Sequence, residues 1–210
     1  MTGERAALSV LVLAGGEGRR LGGRKDGLPF GDRTLLLRAL DFAARLSDDV
    51  LLAPGRWPAP AGLPASVRLV ADDARVQGPL AGLLAGLAAA RHDACLLLPC
   101  DMPFARADVA QRLAALATGP TLVAGLRGPG GREPFHAVWR RDSRPLLEAL
   151  AAQGERSLQA ALDALQERGA LALLPGSELA HLDPELACLV NVNTAADLAA
   201  ARAQAARPGA

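Results

Sequence analysis

After a short apolar run, Leu8 to Leu13, the chain continues Ala14-Gly15-Gly16-Glu17-Gly18-Arg19-Arg20-Leu21-Gly22-Gly23-Arg24-Lys25. Glycines let backbone amides close in on an anion, and arginine and lysine neutralise its charge, so this segment is a candidate phosphate loop. It follows neither of two common patterns. GxxxxGK[ST] fails because Arg24 follows Gly23 and Asp26 follows Lys25. GxGxxG fails because Gly16-Glu17-Gly18-Arg19-Arg20 runs into Leu21. Asp101 stands just beyond a second apolar run, Ala94 to Pro99. A carboxylate at the carboxyl end of a buried strand is well placed to hold Mg²⁺ while the metal bridges nucleotide phosphates. The competing role for Asp101 is a helix cap ahead of Pro103. Asp72 and Asp73 precede Gln77-Gly78-Pro79-Leu80-Ala81-Gly82, a turn into a helix whose amino end could face an anion or a polar base; solvation in a loop is the alternative. Asn191 and Asn193 lie in an extended segment, and only one of them is expected to face the site. His136 beside Glu133, and Cys100 beside Asp101, have no partner that would make a nucleophile or a metal site, so His136 is expected to be a packed or surface residue and Cys100 a packing residue.

Composition sharpens this selection. Of the 23 basic residues only Lys25 is lysine, isoleucine and tyrosine are absent, and the only asparagines are Asn191 and Asn193. A coding bias towards G and C accounts for such depletion. Residue types that persist against it are candidates for chemistry that arginine, valine or aspartate cannot supply.

Short apolar runs at 8–13, 50–53, 67–71 and 94–99 alternate with helical patterns, and this indicates an α/β chain with a parallel, helix-covered sheet. Asp32 or Thr34 is expected to cap a helix to about Leu46, and Pro79 to open another. Further helices are predicted near 106–117, 144–152 and 157–168, strands at 121–124, 135–139 and 171–174, and a Gly/Pro loop at 127–131. Thr194 is expected to cap a last helix with Asp197 in its first turn. No repeat or linker divides the 210 residues, so a single domain over 1–210 is expected.

The same figures exclude whole classes of function. A net charge of +1 argues against nucleic-acid binding, and the longest apolar stretch, Pro79 to Ala90, is far short of the roughly 20 residues that span a bilayer. No membrane association is expected. Three cysteines without CxxC spacing suggest neither a disulfide framework nor a zinc site, and a reducing cytoplasm suits them.

Taken in order, Leu13-Ala14-Gly15-Gly16 with Arg20-Leu21-Gly22, Gly78-Pro79-Leu80-Ala81-Gly82, Cys100-Asp101-Met102-Pro103, Gly154-Glu155-Arg156 and Asn191-Val192-Asn193-Thr194 resemble the molybdenum cofactor guanylyltransferases. The resemblance covers nearly the whole chain. It implies the nucleotide-diphospho-sugar transferase fold, a three-layer Rossmann-like arrangement with a mostly parallel sheet and helices on both faces. It further implies that GTP and the molybdopterin cofactor are substrates, with GMP transferred and pyrophosphate released. On this resemblance Leu13, Ala14, Gly15, Gly16, Lys25, Asp72, Gly78 and Asp101 bind the nucleotide, and Asp101 binds Mg²⁺. Arg20, Lys25 and Asp101 carry catalysis, Asn191 and Asn193 lie on the pterin side, and acceptor molybdoenzymes are downstream partners. Two departures stand out. The family usually has Asp then Lys where this chain has Lys25 then Asp26, and Ala53-Pro54-Gly55 stands where a polar residue near the base is expected. A cytidylyltransferase, another sugar-phosphate nucleotidyltransferase, or a nucleotide-binding accessory protein without turnover are the alternatives, with a P-loop-like NTPase further off.

Overall fold

The computed structural model describes residues 7–15, 24–72, 76–128 and 130–207. The first half runs β1 (Leu8–Leu13), β2 (Pro29–Phe30), β3 (Arg33–Thr34), α1 (Leu35–Leu46), β4 (Val50–Ala53), β5 (Val67–Leu69), α2 (Pro79–Ala89) and β6 (Ala94–Pro99). The second half runs α3 (Ala107–Leu116), β7 (Val123–Gly128), β8 (Gly131–Arg140), α4 (Arg144–Ala152), α5 (Leu158–Glu167), β9 (Leu171–Leu173), α6 (Gly176–Leu182) and α7 (Ala195–Ala205).

Seven strands form one sheet in the order β5-β4-β1-β6-β8-β7-β9, and β2 pairs with β3 in a separate hairpin. The pairs β5·β4, β4·β1, β1·β6 and β7·β9 are parallel, while β8 is antiparallel to both neighbours. Successive residues of β1 and β6 point to opposite faces and both faces are covered, which is why these strands are apolar throughout. Val10, Val12, Leu96 and Leu98 pack with the inner faces of α1 and α3. Leu11, Leu51 and Leu97 pack with α2, α4 and α5. This is the three-layer α/β arrangement expected from the sequence.

Thr34, not Asp32, caps α1: its Oγ1 accepts from the Leu37 N–H at 3.2 Å. Leu35, Leu36, Ala39, Leu40 and Ala43, which recur at helical spacing in α1, are all buried. Helix α2 lies close on the sheet because two of its positions have no side chain. A Cβ at Gly86 would sit 2.3 Å from Leu11 Cδ2, and one at Gly82 would sit 2.8 Å from Leu13 Cδ2.

The second half departs from the sequence expectation. The Gly/Pro stretch is the tip of a β7–β8 hairpin, with Gly128 paired to Gly131, rather than a free loop. That hairpin turns β8 back between β6 and β7, so β8 starts at the carboxyl ends of the parallel strands. Pairing slips between Ala124 and Leu126, and near this irregularity His136 adopts φ +48°. The β2–β3 hairpin and α6 are too short and too polar to show in a periodicity pattern.

At the opposite end of the sheet a buried carboxylate is fully engaged. Asp49 accepts from Ser9 Oγ at 2.6 Å, from the Arg91 N–H at 2.8 Å, and from Arg68 Nη2 and Nε at 2.6 and 3.1 Å. Burial alone would raise its pKa, but the Arg91, Ser9 and Arg68 bonds outweigh that and hold it below the usual range.

Candidate active site

The parallel strands end together. Leu13 pairs with Ala53 on one side and Pro99 on the other, and the chain continues the contact past the strand ends: Ala14 N–H donates to Ala53 O at 3.0 Å and Cys100 N–H to Leu13 O at 2.9 Å. Leu13, Ala14, Gly15 and Asp101 are thereby gathered at the edge where open α/β sheets bind ligands. Gly16 and Arg20 lie outside the described residues.

Lys25 is the centre of the cluster. Its Nζ is 2.5 Å from Asp101 Oδ2 and 2.5 Å from Asn193 Oδ1, joining residues 76 and 168 positions apart. It gets there through a short 3-10 turn, Lys25–Gly27. The same turn buries Asp26, whose carboxylate accepts from Arg24 Nε at 3.1 Å and Nη2 at 2.5 Å. The Lys25-Asp26 order therefore leaves the lysine in the site and hands the aspartate to a neighbouring arginine.

Asp101 is 8% exposed and its second oxygen, Oδ1, is enclosed without a hydrogen-bond partner among the described residues. It caps no helix, since α3 begins at Ala107 after Arg106. The segment after it is pinned by Phe30, whose ring meets Phe104 edge-on at 5.9 Å, and by Arg38, whose Nε donates to Pro103 O at 2.7 Å. Val192 N–H donates to Asp101 O at 2.9 Å, and the Val192 side chain is buried with Phe30, Leu35, Leu198 and Ala201. That anchor sets the asparagines. Residues two apart on an extended chain share a side, and Val192 between the two asparagines is the residue that turns into the core. Asn193 reaches Lys25, and Asn191 Oδ1 is enclosed without a partner among the described residues. Behind them Thr194 and Asp197 close the capping box of α7, with Asp197 Oδ2 also accepting from the Asn193 N–H at 3.0 Å.

Asp72 and Gly78 flank α2. Asp72 Oδ1 lies 3.4 Å from where a Gly82 Cβ would be and has no partner among the described residues; burial pushes its carboxyl pKa up. Gly78, at φ +76°, is the residue before Pro79 and the helix start. A Cβ there would lie 3.3 Å from Arg156 O, and Arg156 Nη1 donates to Gln77 Oε1 at 2.9 Å, so the Gly154-Glu155-Arg156 loop closes on this turn. Asp73 lies outside the described residues.

Glu133 was not singled out by the sequence. The regular β6–β8 register, Ala94 with Arg140 to Leu97 with Ala137, carries it back towards Asp101, and burial followed by the Asp101 charge pushes its carboxyl pKa up. Only an antiparallel β8 brings it there, and alternating patterns give no sign of strand direction. Cys100 is buried as expected, and of the packed and surface alternatives for His136 the structure shows the packed one; burial drives the imidazole towards its neutral form and the thiol pKa well up.

Among the described residues no three His, Cys, Asp or Glu side chains cluster as a metal cage. The donor set that is present, the spare oxygen of Asp101 with an asparagine oxygen nearby, is a hard-oxygen set of the kind Mg²⁺ takes when phosphates and water complete its shell.

The mostly parallel seven-stranded sheet, with its polar cluster at the strand ends, is the arrangement of the nucleotide-diphospho-sugar transferase fold, to which nucleotidyltransferases belong. Residues 10–169 match the model of the MobA-like NTP transferase domain, and the chain belongs to that family. A molybdenum cofactor guanylyltransferase of Pseudomonas putida is 40% identical over 156 residues, 73% of this chain and 81% of its own. A probable molybdenum cofactor guanylyltransferase of Methanosarcina mazei is 31% identical over 204 residues, 93% and 90% of the two chains. Among solved structures, molybdopterin-guanine dinucleotide biosynthesis protein A from Archaeoglobus fulgidus shares the fold with a TM-score of 0.77 at 23% identity, covering 94% of this chain and 98% of its own. Nucleotidyltransferases of this kind generally use a divalent metal. No helix among the described residues is long and apolar enough to cross a membrane.

Proposed function

We propose that this chain transfers GMP from GTP to the terminal phosphate of the molybdopterin cofactor, releasing pyrophosphate and forming the guanine dinucleotide cofactor. The observation that carries this reading is Lys25 bridging Asp101 and Asn193 at the strand ends. A phosphate monoester is already nucleophilic, so the site needs no general base. It needs positioning and charge neutralisation, which a lysine, an arginine and a metal-binding carboxylate supply.

In this reading Leu13, Ala14, Gly15 and Gly16 present backbone to the phosphates, and Arg20 and Lys25 neutralise them. Asp72 and Gly78 take the base and ribose end. Asp101 Oδ1 would hold Mg²⁺, and the metal would supply withdrawal of charge from the phosphates. Lys25, released from Asp101 Oδ2 by the arriving substrate, turns its ammonium to the α-phosphate. Asn191 and Asn193 take the cofactor's phosphate and pterin side. A single domain over 1–210, a cytoplasmic setting and hand-over of the product to acceptor molybdoenzymes belong to the same reading.

The relatives' names favour guanine, while Ala53 at the end of β4 offers no side-chain polar group to a base. The experiment is pyrophosphate release with Mg²⁺ and GTP or CTP, with and without molybdopterin cofactor. Cofactor-dependent release from GTP is the expected result. Release from CTP alone would make the chain the cytidylyl counterpart, and nucleotide binding with no release would make it an accessory protein.

A further inference from the structure

Two arginines lie against one indole beside the strand-end cluster. The guanidinium carbons of Arg24 and Arg56 lie 5.3 and 5.0 Å from the centroid of the Trp57 ring, within cation–π range. The turn that carries Arg56 and Trp57 leaves the carboxyl end of β4 and packs directly on Gly15, where a Cβ at Gly55 would come within 2.9 Å of the Gly15 Cα. Arg24 approaches from the chain immediately before Lys25. Two cations are thus collected on one ring beside the first glycine of the phosphate loop and the lysine that ends it.

Core packing does not explain the arrangement. Arg56 is exposed, and the Arg24 side chain is 31% exposed. Asp26 engages Nε and Nη2 of Arg24, which leaves Nη1 as the nitrogen not committed to that carboxylate. Trp57 Nε1 is enclosed with no hydrogen-bond partner among the described residues, a donor that is costly to leave unmet. Two guanidiniums gathered on one indole ring, beside Gly15 and Lys25, make a site for a group with several anionic oxygens.

We propose that Arg24, Arg56 and Trp57 form a clamp for the β- and γ-phosphates of the nucleoside triphosphate, and for the pyrophosphate that leaves. The clamp rests on the reading of this cleft as a nucleotidyltransferase site. The indole serves as the platform: its electron-rich face offsets the repulsion between the two guanidiniums and keeps them on the phosphate side of the β4 turn. GMP, which lacks the outer phosphates, has nothing to offer it.

Binding of GTP, GMP and inorganic pyrophosphate, each with Mg²⁺, to the whole protein and to Trp57→Ala, Trp57→Phe and Arg56→Gln tests this by calorimetry. Trp57→Ala and Arg56→Gln should weaken GTP and pyrophosphate by about tenfold, the scale of one charge-assisted contact, and leave GMP unchanged. Trp57→Phe keeps a ring but loses the indole N–H, so its affinity should fall between those of the unaltered protein and Trp57→Ala. Arg56 is exposed and its replacement does not threaten folding, so a failure of Trp57→Ala to fold would leave Arg56→Gln to decide. Equal weakening of GMP and GTP would overturn the clamp and put the indole on the nucleoside, and unchanged pyrophosphate affinity would overturn it outright. If the unaltered protein bound neither GTP nor CTP, the nucleotide-site reading itself would fall, a result distinct from tight binding that the variants leave untouched.

Discussion

Lys25 and Asp26 show how one turn assigns two neighbouring charges to different tasks. The 3-10 turn puts Lys25 Nζ on Asp101 and Asn193 and puts the Asp26 carboxylate on Arg24. Lys25→Ala should lower kcat by about 10²-fold or more, the usual cost of losing one donor that stabilises transition-state charge. Unchanged turnover would show that this lysine has no part in the reaction. Exchanging the pair, Lys25→Asp with Asp26→Lys, should cost at least as much, because a lysine at the buried position would face Arg24 and leave Asp101 without its partner; activity at the normal level would contradict the geometry. Asp101→Asn keeps the shape and removes the charge, so it should abolish metal-dependent turnover with the melting temperature preserved. The sequence pointed to Lys25 and the two asparagines because lysine and asparagine occur nowhere else in this chain, and to Asp101 because it follows an apolar strand. It could not reveal that a single ammonium joins three of them, which depends on a turn only three residues long.

At the scale of elements, β1, β4 and β6 were legible because each is an apolar run buried on both faces, and α1 because it carries a continuous apolar stripe. Thr34, Pro79 and Thr194 are placed where helix chemistry requires them. Strand direction is a different matter. An apolar run looks the same whether it runs with or against its neighbour, so the hairpin that reverses β8, and with it the approach of Glu133 to Asp101, had no signature in the sequence. Helix α2 offers a test of packing. Gly86 has no room for a Cβ against Leu11, and Gly86→Ala should destabilise the protein by about 1–3 kcal/mol through overpacking, although alanine is the better helix former. Denaturant unfolding checks this, and a stabilised variant would show that α2 can lift off the sheet at no cost.

For the whole molecule, two buried groups set how stability responds to acid. Burial holds His136 below its ordinary pKa; the carbonyls of Arg106 and Cys188 and the charges of Asp183 and Asp108 oppose that shift without cancelling it. A histidine that is harder to protonate when folded contributes nothing above its unfolded pKa of about 6.5 and destabilises progressively as the pH falls below it. Asp49 is held below its unfolded value, so the stability it contributes is complete above about pH 4 and is lost as the pH falls further, through its folded value. Melting temperature against pH should therefore fall in two stages. His136→Asn, which keeps a residue tolerant of φ +48°, should remove the upper stage alone; a wild-type curve flat from pH 7 to 5 would contradict the burial argument.

At the same scale, the cleft at the strand ends is proposed to move a nucleotidyl group onto a phosphorylated pterin. The most direct measurement follows GTP labelled at the α- or the γ-phosphorus through a single turnover with Mg²⁺ and molybdopterin cofactor. The account predicts that the α-label appears in the dinucleotide cofactor and the γ-label in pyrophosphate, in equal amounts. A γ-label recovered as orthophosphate, or an α-label that never leaves the free nucleotide pool, would contradict it.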